Sequence, residues 1–396
     1  MKINSMVMKR IKYKLGVLGI VLLAACSESE YHTISVKNTL DFQRSNEVVE
    51  LDKTELHIVK IDETLGIKEL STGKLLVTQM VDSNADGEMD KLLFQPSIPA
   101  NSEQKFRLVS IKKSEIQVAD TLCYSRFVPE RTDDYTWEND KVAFRVYGPV
   151  AQELAETGQK GGTLSSGVDA WLKRVSYPII NKWYKETCID KTGSYHEDTG
   201  EGLDNFHVGV SRGVGGIAVR AKGDFYYSKN YSTWRTITVG PLRTSFYLEY
   251  DSWTADGKII SESKTISLDR GNNFSKFETN IIGTDKIFSG LTLHEKDGEM
   301  LNGKGWVSYW QPHADSEIGT AIVADKDTFL GSELYDVETK DLSNVYAELS
   351  VKDHKVVYYA GFAWSKSKQY PTQEIWIAYL NSFNNCINNP LQVSTE

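Results

Sequence analysis

The sequence predicts a mainly β protein: a large antiparallel β-sandwich, supersandwich-like, with an inserted helical segment and a C-terminal helix. Through most of the chain, aromatic and β-branched residues alternate with polar residues in short runs, and turn residues separate these runs. Such alternation is typical of strands that bury one face of an antiparallel sheet. The clearest runs are 75–81, 91–94, 142–147 and 244–250.

A helical period is clear in only two segments. Between Val168 and Lys185, apolar residues fall on one face of a helix, and Pro178 predicts a kink. The second segment lies near the C-terminus, and its apolar face holds Ile375, Trp376, Tyr379, Leu380 and Phe383. Because no linker or repeat divides the chain, we expect residues 31–396 to form a single large β-sandwich catalytic domain.

Residues 1–25 predict a signal peptide. A basic start precedes an apolar run at 15–23, which is too short to span a bilayer as a helix. The sequence Leu-Ala-Ala-Cys at 23–26 resembles the lipobox of bacterial lipoproteins, so we expect Cys26 to carry a lipid and residues 26–30 to form a lipidated tether. The alternative is a buried cysteine at the end of an ordinary helix. The lipid would attach the protein to the outer membrane, facing the periplasm or the cell surface.

The charge balance disfavours a nucleic-acid partner. The chain has 54 acidic and 45 basic residues and a formal net charge of −9, whereas nucleic-acid binding needs a basic surface. Eight of the twelve arginines nevertheless lie between Arg126 and Arg243. Since guanidinium groups bind carboxylate and sulfate through paired hydrogen bonds, we expect an anionic ligand in the middle of the chain.

The segment 195–216 is the densest in groups able to carry acid–base chemistry. It contains Tyr195, His196, His207 and Arg212. Histidine titrates near neutrality without help, and tyrosine can act as an acid or a base when its pKa is lowered. These four residues are the candidate catalytic residues. The alternative is a solvated loop with a capping histidine.

The segment 131–149 is a candidate sugar-binding site. Trp137 lies among acidic residues, and the following strand carries Arg145 and Tyr147. An exposed indole can stack on the apolar face of a pyranose while charged groups bind the hydroxyls. Trp137 is equally compatible with a place in the core.

The segment 167–174 opens the predicted helical insertion. Trp171, Lys173 and Arg174 are candidate substrate-binding residues. The two basic residues are also compatible with an ordinary solvated helix face.

One segment resembles the first half of a calcium loop. It has oxygen ligands at alternate positions and a turn glycine, but Leu93 occupies the place of the usual final glutamate. The alternative is an acidic hairpin turn. His196 and His207 with Glu201 or Asp204 could also hold a divalent metal. No cofactor is certain, and the possible calcium ligands are Asp82, Asn84, Asp86 and Asp90.

Five segments together resemble a family of envelope proteins encoded beside pectin- and ulvan-degrading enzymes, the family of the ulvan oligosaccharide dehydratase. The resemblance covers nearly all of the chain after the leader. It implies removal of water from a non-reducing-end glucuronate or iduronate linked to sulfated rhamnose, which leaves a 4,5-unsaturated uronate. The implied partners are this anionic oligosaccharide and an unsaturated glucuronyl hydrolase that takes the product. The segments are 131–148, 167–174, 195–216, 240–243 and 358–364.

The residues available fit this chemistry. His207 or His196 would take the proton from C5 and Tyr195 would protonate the departing 4-hydroxyl. Arg212 and Arg145 would neutralise the substrate carboxylate, which makes the developing enolate less costly.

Two other functions remain compatible with the sequence. A polysaccharide lyase takes the same C5 proton but expels a sugar instead of water. A non-catalytic glycan-binding lipoprotein would need aromatic platforms and no acid–base pair. In the dehydratase, Lys173 or Arg174 would reach the sulfate.

Overall fold

Antiparallel sheets make up most of the protein, which is described here by a computed structural model. The structure describes residues 32–396 except 57, 59, 63, 118 and 340. Residues 32–396 form one compact unit. The expected signal peptide, Cys26 and the tether at 26–30 lie outside the described residues and stay predictions. No helix among the described residues is long and apolar enough to cross a membrane.

The described residues contain three α-helices and a π-helical turn. The helices are α1 (Pro149–Glu156), α2 (Ile180–Tyr184) and α3 (Gln373–Asn388), and the π-helical turn is Lys185–Asp190. The strands in chain order are β1 (Thr33–Asn38), β2 (Val49–Asp52), β3 (Leu65–Glu69), β4 (Thr78–Val81), β5 (Lys91–Phe94), β6 (Ser102–Ser110), β7 (Tyr124–Val128), β8 (Asp134–Glu138), β9 (Ala143–Val146), β10 (Asp169–Lys173), β11 (Gly202–Leu203), β12 (Val214–Ala221), β13 (Asp224–Tyr226), β14 (Tyr231–Thr238), β15 (Arg243–Tyr250), β16 (Trp253–Ala255), β17 (Lys258–Asp269), β18 (Phe274–Ile282), β19 (Lys286–Thr292), β20 (Glu299–Gly303), β21 (Trp306–His313), β22 (Ser316–Val323), β23 (Phe329–Tyr335), β24 (Asn344–Ser350), β25 (Lys355–Trp364) and β26 (Gln392–Thr395).

The main core lies between one large sheet and two smaller ones. The large sheet has the order β14-β15-β17-β18-β25-β22-β21-β20, with β16 paired to β17. The smaller sheets have the orders β13-β12-β19-β24-β23 and β11-β10-β9-β8-β7. Phe246 from the large sheet, Ile217 from the first small sheet and Phe144 from the second belong to one buried cluster. The predicted β-sandwich is therefore confirmed.

The N-terminal strands build a further layer with its own core. The sheet β26-β1-β6-β3 and the sheet β2-β5-β4 share a buried cluster that includes Ile34, Leu92 and Phe106. Strand β26 pairs with β1 and places Ile34 opposite Thr395. The C-terminal segment therefore completes the N-terminal sheet.

The predicted C-terminal helix is confirmed as α3. The Thr372 hydroxyl caps its first turn by accepting the backbone N–H of Ile375, which satisfies a donor that the helix itself cannot. Trp376 and Leu380 are fully buried against the large sheet. The Trp376 indole stacks on Phe274 and donates a hydrogen bond of 3.0 Å to the Ser308 hydroxyl.

The helix predicted for 168–185 is wrong in its first half. Residues 169–173 form β10, which lies between β9 and β11 and is buried at every position. A strand buried on both faces has no polar alternation, so periodicity cannot distinguish it from a buried helix. Helical structure begins only at Ile180, after Pro178, and α1 was not predicted.

The possible calcium loop is the turn between β4 and β5. Its carboxylates accept local backbone hydrogen bonds; Asp82, for example, accepts the N–H groups of Ala85 and Gly87. Within the described residues, no group of three or more His, Cys, Asp or Glu side chains is placed to hold a metal ion. Calcium binding would therefore need the loop to draw its oxygen ligands together, and it stays a prediction.

Replacing Trp376 by alanine should lower the free energy of unfolding by about 3–5 kcal/mol, because the change removes a fully buried indole and leaves a cavity. Urea unfolding of the two proteins measures the loss. Ile375→Ala is the matched control, since Ile375 is 45% exposed on the same helix. Equal losses for the two variants would contradict the packing of α3.

If the β4–β5 turn binds calcium, a chelator should lower the melting temperature of the protein. Calcium at a hundred times its dissociation constant stabilises a folded protein by about 3 kcal/mol. Asp86→Ala should abolish the difference, whereas Asp256→Ala, in another exposed turn, should preserve it. Identical melting curves with and without chelator would leave an acidic turn as the correct account.

Candidate active site

A cleft of about 580 Å³ opens beside the end of β9. Five separate parts of the chain contribute to its wall, and they include four of the residues singled out by sequence: Arg145, Tyr147, His196 and His207. Its lining residues are Arg145, Tyr147, Gly162, Thr163, Leu164, His196, the segment 204–210 and Asp341.

Arg145 lies at the floor of the cleft and is almost completely buried. One of its nitrogens, Nη2, is 2.5 Å from Asp169 Oδ2 and 2.8 Å from Asp204 Oδ2. Nη1 is 3.8 Å from Asp134 Oδ2. Burial by itself would lower the pKa of Arg145, but the neighbouring Asp204, Tyr147 and Asp169 raise it well above its usual value. Arg145 is therefore a permanent positive charge.

Several buried polar atoms around Arg145 have no hydrogen-bond partner among the described residues. They are Nε and Nη1 of Arg145, Oδ1 of Asp134, Oδ1 of Asp169 and Nε1 of Trp171. A buried donor or acceptor without a partner costs on the order of 1–3 kcal/mol. Such a concentration of unmet donors and acceptors marks a place where a polar ligand or water gains hydrogen bonds.

The carboxyl groups around Arg145 are hard to ionise together. Burial raises the pKa of Asp134 to about 6, although Arg145 and Arg131 oppose the shift. Burial also raises the pKa of Asp169, repulsion from Asp204 adds to the effect, and attraction to Arg145 does not outweigh it. Buried carboxylates that share one site cannot all carry charge cheaply.

One ring nitrogen of His196, Nε2, has no hydrogen-bond partner among the described residues. Its Nδ1 is 2.6 Å from the backbone oxygen of Asp204. A carbonyl can only accept, so Nδ1 carries a hydrogen, and in the neutral ring the lone pair is therefore on Nε2. The side chain is 61% exposed and packs edge-on against Tyr195. This arrangement suits a general base.

His207 faces the cleft in a pair with Asp341. Its Nε2 lies 3.0 Å from Asp341 Oδ2. Gly209, with φ +52°, makes the approach possible, because a Cβ there would lie 2.3 Å from the same carboxylate oxygen. The backbone oxygen of His207 accepts a hydrogen bond from His294, which fixes the segment from behind.

Two aromatic residues expected to contact sugar are buried instead. Trp137 is fully buried, and its indole donates to the Ser275 hydroxyl at 2.8 Å. Trp171 is also fully buried and packs beneath the Arg145 guanidinium at 5.0 Å. Neither ring can act as a stacking platform, because β8 and β10 are buried at every position and both faces of each strand are covered.

The basic residues of 167–174 do not face the cleft. Lys173 is fully buried, with its Nζ 2.7 Å from Glu138 Oε2. It therefore holds a buried ion pair and cannot reach a sulfate. Arg174 is partly exposed, but it binds Asp198 at 2.9 Å and is not among the residues that line the cleft.

Arg212 is a structural residue and not a substrate-binding one. It is fully buried, and its Nη2 donates to the backbone oxygen of Val210 at 2.9 Å. Its Nη1 donates to the Ser166 hydroxyl, and its guanidinium lies 3.9 Å from the Tyr227 ring centre. Arg212 therefore supports the cleft wall at Val210 from inside the protein. Tyr195 is likewise mostly buried, and burial raises its pKa.

Sequence reasoning missed the acidic residues of the site. Asp134 and Asp169 are the first residues of the fully buried strands β8 and β10, and a charged residue at the start of a run rich in aromatic residues is the signal that could have found them. Asp341 is 134 positions from its partner His207, and no local pattern indicates that contact. His294 and His313 were also missed.

Acid should destabilise the protein through His313. Burial lowers its pKa from 6.5 to about 4, and His294 adds to the shift. A depressed pKa means that the unfolded chain binds the proton more readily, so the stabilisation present above about pH 6.5 is lost as the pH falls towards 4. His313→Gln should reduce this loss by up to roughly 3 kcal/mol. Urea unfolding at several pH values measures it, and parallel pH profiles for the two proteins would refute the assignment.

The fold is similar to that of two solved proteins from Enterococcus faecalis. One is a protein in glycosyl hydrolase family 38, with a TM-score of 0.50 over 93% of this chain and 48% of that protein. The other is an α-mannosidase, with a TM-score of 0.51 over 93% of this chain and 46% of that protein. The chain spans about half the length of both. Because the identity is 10% in each case, the likeness shows the fold alone.

Sequence comparison finds a relative that matches nearly the whole chain. "Uncharacterized protein P7" from Formosa agariphila is 51% identical over 397 residues, which cover 98% of this chain and 100% of that protein. The family described as "Domain of unknown function (DUF4861)" matches residues 36–393. The chain therefore belongs to the DUF4861 family.

Proposed function

We propose that the protein is a carbohydrate-active hydro-lyase. It would remove water from a non-reducing-end uronic acid, glucuronate or iduronate linked to sulfated rhamnose as in ulvan, to give a 4,5-unsaturated uronate. The observation that carries this proposal is the buried Arg145, two of whose donors have no partner in the described part of the chain, at the floor of a cleft that also contains His196 and Tyr147. The names of the two solved proteins add a carbohydrate precedent for the fold.

Arg145 supplies the electrostatic part of the reaction. Proton removal from C5 places negative charge on the adjacent carboxylate, and hydrogen bonds to a fixed guanidinium lower the cost of that charge. Nε and Nη1 of Arg145 are buried without a partner among the described residues, so a carboxylate that reaches them gains hydrogen bonds without displacing a protein acceptor. Arg212 is excluded from this role by its burial behind Val210.

His196 is the proposed base and Tyr147 the proposed acid. Nε2 of His196 takes the C5 proton, the electron pair of that C–H bond forms the C4–C5 double bond, and the C4–O bond breaks. The departing oxygen takes the hydroxyl hydrogen of Tyr147 and leaves as water. Tyr147 replaces Tyr195 in this role, because Tyr147 lines the cleft and Tyr195 does not.

His207 has a different proposed role. Its Nε2 is engaged by Asp341, so we assign it to holding the sugar and not to taking the proton. Export, lipid attachment at Cys26 and transfer of the product to an unsaturated glucuronyl hydrolase remain proposals from the sequence.

The two histidines should respond differently to the same substitution. His196→Asn should reduce turnover on a uronate-capped oligosaccharide by about a hundred- to ten-thousand-fold, as loss of a positioned base does. His207→Asn should mainly raise KM, and His354→Asn, in an exposed turn, serves as the control. The ultraviolet absorbance of the unsaturated product measures the rate.

The product distinguishes the alternatives. Loss of one water from an intact oligosaccharide supports the hydro-lyase, cleavage into two sugars supports a lyase, and binding without any reaction supports a glycan-binding protein. Near-normal turnover of His196→Asn would refute the assignment of the base.

A further inference from the structure

We propose that Asp169 and Asp204 act as a proton-linked gate for the acidic sugar: the pair holds one proton whenever a carboxylate is bound at Arg145, and loss of that proton weakens binding. This inference rests on the proposed function, because it concerns the charge that the same cleft offers to a uronate. It adds a pH control that acts on binding and not on the chemical step.

The geometry at Arg145 creates the need for the proton. Oδ2 of Asp169 and Oδ2 of Asp204 both lie within 2.8 Å of the same nitrogen, Nη2. Both carboxyl groups are buried. Two like charges this close in a poorly hydrated site repel strongly, and a shared proton is the usual relief.

A count of charges leads to the same conclusion. Three buried carboxyl groups, those of Asp134, Asp169 and Asp204, face Arg145, and Arg131 lies 3.6 Å from Asp134. With all three ionised, the carboxylates outnumber the two guanidinium groups, and the centre would repel a uronate. One proton on the Asp169–Asp204 pair makes the centre neutral overall and leaves the unmet donors of Arg145 facing an anion.

Other titratable groups also face the pair. The burial that raises the pKa of Asp169 supports Asp169 as the member that holds the proton, and its Oδ1 has no partner among the described residues. The hydroxyl of Tyr147 lies 3.3 Å from Asp169 Oδ2, and Nδ1 of His196 lies 3.7 Å from Asp204 Oδ2. Any measured titration must therefore be shown to come from Asp169 and Asp204 and not from these neighbouring groups. The neighbours are Asp134, Tyr147, Tyr195, His196 and, farther along the cleft, His207 with Asp341.

Binding calorimetry with glucuronate tests the gate directly. Titrations from about pH 6 to about pH 9, in buffers of different ionisation enthalpy, measure the protons taken up on binding. For the wild type we expect net uptake that approaches one proton at alkaline pH, with an affinity that falls up to tenfold per pH unit there. Glucose has the same ring without the charge and should bind without proton uptake.

Asp169→Asn separates the pair from the other groups. The amide keeps the shape and the hydrogen bonds but is permanently neutral, so the variant should bind glucuronate with an affinity independent of pH on the alkaline side and without proton uptake there. A purely structural Asp169 predicts the opposite, namely a loss of affinity at every pH. Asp204→Asn removes the same excess charge and should behave alike, which keeps the test valid if one variant folds poorly. Asp256→Asn is the exposed control and should match the wild type.

The outcomes are distinct. Glucuronate binding without proton uptake at any pH overturns the gate, and so does an unchanged alkaline loss of affinity in both Asp→Asn variants. Failure of glucuronate to bind at any pH overturns the gate and the proposed function together. Proton-linked binding by a protein that does not dehydrate uronate-capped oligosaccharides supports the gate and refutes only the hydro-lyase.

Discussion

The contact between Arg145 and two buried carboxylates is the constraint on which the candidate site depends. Arg145 comes from β9, Asp169 from β10 and Asp204 from the segment after β11. The guanidinium thus joins two neighbouring strands to the segment that carries His207, and the backbone oxygen of Asp204 in the same segment contacts the ring of His196. Removing one partner of such a buried cluster leaves charge uncompensated, which typically costs several kcal/mol.

Buried ionic clusters stabilise a fold only weakly compared with apolar packing of the same volume. Stability therefore does not explain why the polar cluster at Arg145 exists. A role in chemistry explains it better. The apolar cluster between the large sheet and the two smaller sheets stabilises the protein. Trp171 and Tyr195, which belong to a separate buried cluster, pack around the guanidinium and reduce the screening of its charge by water.

The wall of the cleft depends on support from within the protein. Arg212 holds the backbone at Val210, His294 holds the backbone at His207, and Gly209 allows Asp341 to reach the His207 ring. Arg212 and His294 bind backbone oxygens of the wall, and Asp341 binds the side chain of His207. A binding surface that is fixed from behind in this way loses less entropy when a flexible sugar is bound.

The sequence by itself determined the mainly β class, the C-terminal helix and two of the segments that meet at the cleft, because alternation, helical spacing and clustered polar residues are local properties. It could not determine that both faces of β8 and β10 are covered, or that Arg212, just before β12, points into the protein, so Trp137, Lys173 and Arg212 were assigned to substrate although they are buried. The helix predicted for 168–185 failed in its first half for the same reason, since a strand buried on both faces has no alternation of polar and apolar residues. Only the tertiary structure decided that Asp169 and Asp204 converge on Arg145 and that Asp341 meets His207. Contacts between residues so distant along the chain depend on how strands and loops pack, and no local pattern encodes that packing.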